Sequence, residues 1–122
     1  MEIYIKRGCI YKARIPESEG SVQQGNRPVL VTQSDWLNMK SPTVIVAAVT
    51  SQLKRLDLPV HVLIHKRRGL PRDSMVLAEQ RMTLPKANLV RYCCTLTDRE
   101  MKEVERALKS SEGMYGRKSS MR

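Results

Sequence analysis

The chain contains no phenylalanine and one tryptophan, so aromatic packing cannot build its core, and Val, Ile, Leu and Met must do so. No run approaches the ~18 consecutive apolar residues of a membrane-spanning helix. The opening Met1-Glu2-Ile3-Tyr4-Ile5-Lys6-Arg7 has neither a long apolar segment nor a small-residue cleavage site. These absences predict a cytoplasmic protein with no membrane partner. Cysteine is scarce and odd in number: Cys9, Cys93 and Cys94 contain no C-x-x-C pair, which argues against a disulfide framework and a zinc knuckle. Vicinal cysteines on a strand point to opposite faces, so a packing role is expected for Cys93 and Cys94, one buried and one beneath a helix. Histidine occurs only at 61 and 65. Four residues apart on a strand is ~13 Å, too far for one metal ion to bridge. No metal or other cofactor is therefore expected. A G-x-S-x-G elbow and the phosphate-loop signatures are missing as well.

Acids are also few. There are 12 against 22 Lys and Arg, a formal net charge of +10. The deficit is local. Residues 20–97 hold four acids (Asp35, Asp57, Asp73, Glu79) and eleven basic residues, whereas 97–112 are nearly balanced. A local basic excess attracts a polyanion through phosphate contacts and counterion release. At 122 residues the chain is one domain with a modest core, and dimerisation would add apolar burial, so a homodimer is expected.

Along the chain, Cys9–Arg14 reads as a first strand after a turn at Gly8. Pro16–Asn26 is a polar loop, longer than most connections. Pro28–Thr32 is a short buried strand, and Ser34–Lys40 is a polar connection with a helical turn around Trp36. Thr43–Ser51 is the most hydrophobic run and reads as a central strand. Val60–Ile64 and Ser74–Ala78 are further strands, separated by a basic turn at Lys66–Arg72. Leu84–Asn88 reads as a tight turn and Val90–Thr95 as a last strand. Thr97-x-x-Glu100 is a capping box opening an amphipathic helix over about Asp98–Ser110, with Met101, Val104, Ala107 and Leu108 on one face. Disorder is expected in a basic tail over 113–122. The pattern predicts a mainly β, α+β domain over 1–112: a small barrel closed by a C-terminal helix.

The chemistry-bearing residues that remain are basic and hydroxyl groups at strand ends. Arg27 enters one buried strand and Thr50 leaves the central one. Antiparallel pairing would bring a guanidinium fork and a hydroxyl together at one edge, a combination suited to a phosphate oxyanion. By spacing alone, a surface Arg and a half-buried strand Thr is the blander alternative.

Longer strings narrow this. Gly20-Ser21-Val22-Gln23-Gln24-Gly25-Asn26-Arg27-Pro28-Val29-Leu30-Val31 resembles the signature of the MazF/PemK toxins. Ser41–Gln52 resembles their second block, and Leu58-Pro59 with His61-Val62 a third. Asp73-Ser74, Glu79-Gln80 with Thr83, and Leu96, Asp98, Glu100-Met101 with Ala107-Leu108 follow in order. The likeness covers about residues 6–112. It implies an SH3-like β-barrel of the CcdB/MazF/PemK type acting as a homodimer. It also implies a type II toxin that cuts single-stranded mRNA sequence-specifically, without metal, to 2′,3′-cyclic phosphate and 5′-hydroxyl ends. A cognate antitoxin protein is the implied partner. By position, Arg27 and Thr50 match the family's catalytic pair. An arginine pKa above ~12 makes charge stabilisation the safer role for Arg27. Ser21 and Gln23 belong to a loop over the RNA, and Ser51 follows the catalytic threonine. His61, Glu79 and Gln80 match groove-lining positions. Arg7, the Lys66–Arg68 run and Arg72 are candidates for backbone phosphates.

The sequence departs from the family pattern at three places. Cys9 stands where the family often has Asp, Val22 where it often has Glu, and Met82 where its E-Q-x-R-T run has Arg. Arg81 next door would face the other way on a strand. These departures keep two alternatives in view: a weak or inactive member, and a CcdB-like toxin that binds a protein and cuts nothing. A plain RNA-binding protein is a further alternative.

Overall fold

Alternation of β-branched and small residues organises the chain into strands, and their register decides which side chains meet. The computed structural model describes residues 4–16 and 25–114. The elements are β1 (Cys9–Arg14), β2 (Asn26–Val31), α1 (Asp35–Lys40), β3 (Thr43–Thr50), β4 (His61–Ile64), β5 (Ser74–Pro85), a 3-10 turn at Lys86–Asn88, β6 (Leu89–Thr95) and α2 (Asp98–Ser111). All six strands join one antiparallel sheet in the order β4-β5-β3-β2-β1-β6.

Strand alternation sorts apolar side chains into two cores. One holds Ile10, Leu30, Ala47, Val49, Val62, Ile64 and Val76, covered by Met101, Val104 and Ala107 of α2. The other holds Tyr11, Ala13, Val29, Val31, Val44, Val46 and Leu84 on the opposite face. Cys94 lies in the first core against α2, and Cys93, left unpaired by a register shift between β1 and β6, is half-buried against the same core, so the two do not divide into one buried cysteine and another beneath the helix as expected. The α2 start is the expected capping box: Thr97 Oγ1 accepts the Glu100 N–H and the Glu100 carboxylate accepts the Thr97 N–H.

The barrel-like curl brings the two sheet edges together without a hydrogen-bonded ladder between them. The β4–β5 connection leans on β6. At Gly69, with φ +87°, a Cβ would fall 1.8 Å from the Cys93 carbonyl oxygen, so only glycine permits the approach. Arg67 of the same connection forks onto Glu100 of α2 at 2.8 and 2.5 Å. The basic turn is thus partly an anchor and not wholly a solvated charge run.

Two strands differ from their expected bounds by more than one residue. β2 begins at Asn26 because β1 pairs with Asn26 and Arg27, drawing polar residues into the ladder. β5 runs on to Pro85, far beyond Ala78, because β3 offers backbone partners to Arg81–Pro85 whatever their side chains. Between those two stretches the register jumps: Ala48 faces Leu77, whereas Ala47 faces Arg81. Ala78, Glu79 and Gln80 therefore stand opposite no β3 residue and form a bulge that re-aims their side chains. Among the described residues no helix is long and apolar enough to cross a membrane.

Candidate active site

The β2–β3 ladder pairs Val31 with Val46, Leu30 with Ala47 and Val29 with Ala48. Two residues further along both strands, this register sets Arg27 across from Thr50, on the face shared by Val29 and Ala48. Directly opposed residues of an antiparallel pair are neighbours on one face. The strand ends therefore bring the guanidinium and the hydroxyl to one place. β5 extends the row, with Met75 beside Thr50.

Two grooves meet at this point. The first, about 520 Å³, is lined by Arg27, Thr50, Gln52, Lys54, Arg55, His61, Glu79 and Gln80 over a floor including Val29, Ala48, Leu77 and Met82. The second, about 460 Å³, shares Arg27, Thr50 and Gln52 and adds Lys12, Ser51, Arg72, Ser74 and Cys93. The Arg27 side chain is exposed and makes no hydrogen bond or ion pair among the described residues. Thr50 Oγ1 accepts the backbone N–H of Gln52 at 3.0 Å. That contact occupies an oxygen lone pair and leaves the hydroxyl proton free to be donated.

His61 is held from both sides. Its Nε2 lies 3.0 Å from Glu79 Oε2, and its Nδ1 lies 2.9 Å from the Arg55 carbonyl and 3.2 Å from that of Lys54. All these partners are acceptors, so the arrangement favours the ring with protons on both nitrogens. Burial of the ring, the largest influence, pulls its pKa down. The bonds to Glu79 and to the two carbonyls, with the charge of Glu79, outweigh it and leave the pKa above the usual 6.5. Arg55 sits at φ +50°, a left-handed conformation uncommon for a side-chain-bearing residue.

Of the residues expected from sequence, Arg27, Thr50, Ser51, His61, Glu79 and Gln80 line one or other groove. Ser21, Gln23 and Val22 lie outside the described residues, as does the tail from residue 115. Arg7 is not brought to the grooves: its guanidinium reaches the Thr32 carbonyl at 3.1 Å and Glu105 at 3.1 Å. Arg72 lines the second groove, and Lys66–Arg68 lines neither. Sequence reading missed Lys12, Gln52, Lys54 and Arg55. Lys12 carried a faint signal, as a cation within an otherwise apolar strand start. Among the described residues no three His, Cys, Asp or Glu side chains cluster as a metal site would need.

Residues 6–111 match the family described as PemK-like, MazF-like toxin of type II toxin-antitoxin system. The chain belongs to this family. It is 42% identical over 112 residues to a protein named endoribonuclease MazF from Staphylococcus saprophyticus subsp. saprophyticus, covering 91% of this chain and 93% of that one. The fold is shared with a MazE–MazF crystal structure from Deinococcus radiodurans, at TM-score 0.76 and 23% identity, covering 93% of this chain and all of the matched one. It is shared too with an endoribonuclease solved with its cognate antitoxin from a mycobacterial species, at TM-score 0.75 and 22% identity, with coverage of 91% and 97%. The expected barrel-like β fold with a C-terminal helix is therefore that of solved MazF toxins. In this PemK/MazF-family chain, Met82 lies half-buried in the floor of the first groove. Arg81 is drawn away to Ser111 and Glu112 at the end of α2, so it does not stand in for the family's arginine.

Proposed function

We propose that this chain is a toxin endoribonuclease that cuts single-stranded mRNA at a phosphodiester held between Arg27 and Thr50. The observation that carries the reading is their convergence at the end of β2 and β3, where both grooves open. Attack of a ribose 2′-oxygen on the adjacent phosphorus builds negative charge on the non-bridging oxygens. The Arg27 fork, without a partner among the described residues, meets that charge with two N–H donors, and the Thr50 hydroxyl, oriented by Gln52, supplies a third. The 2′-hydroxyl proton passes to water as the new P–O bond forms, the P–O5′ bond breaks and the departing 5′-oxygen takes a proton from water, leaving a 2′,3′-cyclic phosphate and a 5′-hydroxyl, with Arg27 and Thr50 stabilising the charge between these steps.

Glu79 and Gln80, re-aimed by the β5 bulge, offer acceptor and amide edges to unpaired bases along the first groove. Both nitrogens of His61 are occupied, so its part is to position Glu79. The reading places the protein in the cytoplasm as a homodimer, restrained by a cognate antitoxin that covers the grooves.

The test is mapping of RNA ends with purified protein in EDTA. Wild type should yield cyclic phosphate and 5′-hydroxyl ends. Thr50→Ala should lose ~10²–10³ in rate, the usual cost of removing one oxyanion donor. Arg27→Ala should abolish cutting. Growth arrest with intact messages would instead favour a toxin that acts by binding protein.

A further inference from the structure

We infer that the second groove is a subsite for a backbone phosphodiester flanking the scissile one, with Lys12 and Arg72 as its cations. The inference rests on the ribonuclease reading above and extends it to the far side of Arg27 and Thr50.

Both grooves carry cations, Lys54 and Arg55 in the first and Lys12 and Arg72 in the second with Arg27 shared, and they differ in their acceptors. The first carries the Glu79 carboxylate and the Gln80 amide, a mixture of acceptors and donors that suits base edges. The second is lined by Lys12, Arg27 and Arg72 and by no carboxylate among the described residues. Its cations and small hydroxyl groups, set around Pro28, Val49, Leu70 and Pro71, suit a phosphate better than a base edge. Lys12 reaches it because β1 pairs Lys12 with Pro28, next to Arg27.

Among the described residues these cations also stay unspent. Arg7, Arg55, Arg67 and Arg81 each face an acid: Glu105, Asp57, Glu100 and Glu112. The Lys12 and Arg72 side chains have no hydrogen bond or ion pair among the described residues. Asp73, adjacent to Arg72, is turned away to accept the Lys66 N–H at 2.8 Å. The wall that carries Arg72 is rigidly placed. The hydroxyl of buried Ser74 donates to the Arg72 carbonyl at 2.9 Å, Gly69 abuts Cys93, and Arg67 ties the turn to α2.

The experiment uses the full chain and a single-stranded oligonucleotide bearing a 2′-deoxy nucleoside at the mapped cut, which blocks attack. Binding is followed against salt for wild type, Lys12→Gln, Arg72→Gln, the double variant and Lys12→Arg. Each lost cation should flatten the slope of log K against log salt by about 0.7, the single-strand value per phosphate contact. Cleavage of the all-ribose strand should show KM raised several-fold at near wild-type kcat, with Lys12→Arg restored. A single neutral methylphosphonate, walked along the linkages beside the cut, should weaken wild-type binding at one position. The double variant should not feel that substitution. Unchanged slopes and KM, or a methylphosphonate penalty that persists in full in the double variant, would overturn the inference. Wild-type protein that shows the predicted slopes yet cuts no RNA would defeat the ribonuclease reading and leave the phosphate subsite standing.

Discussion

Replacing Glu100 with glutamine should destabilise the protein at neutral pH by about 1.5–2 kcal/mol, and this loss should vanish in acid. The Glu100 carboxylate accepts the Arg67 fork and closes the capping box through the Thr97 N–H. The hydrogen-bonded Arg67 fork outweighs the opposing burial and holds the Glu100 pKa down from 4.5 to about 2. At about 1.4 kcal/mol per pH unit that displacement is worth roughly 3 kcal/mol. The Glu100 and Arg67 side chains are 19% and 24% exposed, so solvent screening trims the figure to about half. Glutamine keeps one acceptor for the cap, whereas Glu100→Ala loses the cap too and should cost about 1 kcal/mol more. The folded pKa is depressed, so the contribution is fully present above 4.5 and disappears as pH falls through about 2. Urea unfolding of wild type and Glu100→Gln between pH 7 and pH 2 reads this directly. Equal stability at pH 7, or a difference that stays constant down to pH 2, would refute the reasoning. Because Arg67 anchors the wall of the second groove, Glu100→Gln should also weaken RNA binding at neutral pH.

Four further outcomes follow from the same geometry. Gly69→Ala places a methyl group on the Cys93 carbonyl at a positive φ, so it should cost at least about 3 kcal/mol, seen as a large fall in thermal midpoint. Glu79→Gln removes the charge facing His61 Nε2, so the imidazole pKa should fall, as measured by NMR titration of the ring protons. In the wild type that raised pKa makes the His61 contribution complete below 6.5 and lost as pH climbs through the folded value, so His61→Gln should matter less in alkali. Val104→Ala, at a fully buried site between α2 and the sheet, should cost ~1–3 kcal/mol by urea unfolding without altering where RNA is cut.

Much of the fold was legible because its signals are local. Cys9–Arg14 and Thr43–Thr50 announce themselves by alternation and β-branching, and Thr97-x-x-Glu100 marks the α2 start. β5 was not legible beyond Ala78, since Glu79-Gln80-Arg81 is polar and carries no strand period. Its extension is imposed by β3, which supplies ladder partners from across the sheet. Arg27 and Thr50 could be proposed from strand ends and motif, whereas Lys12 gave only the faint local signal of a cation in an apolar strand start.

By itself the sequence determined the element types, the apolar faces, the basic excess and family membership, because propensity, periodicity and motif act over a few neighbouring residues. Only the tertiary structure decided which charges are spent and which stay available. It pairs Arg67 with Glu100 across 33 residues and His61 with Glu79 across 18, while Lys12, Arg27 and Arg72 line one groove with no side-chain partner among the described residues. Strand register makes that choice, and register is settled by contacts between segments distant in the chain.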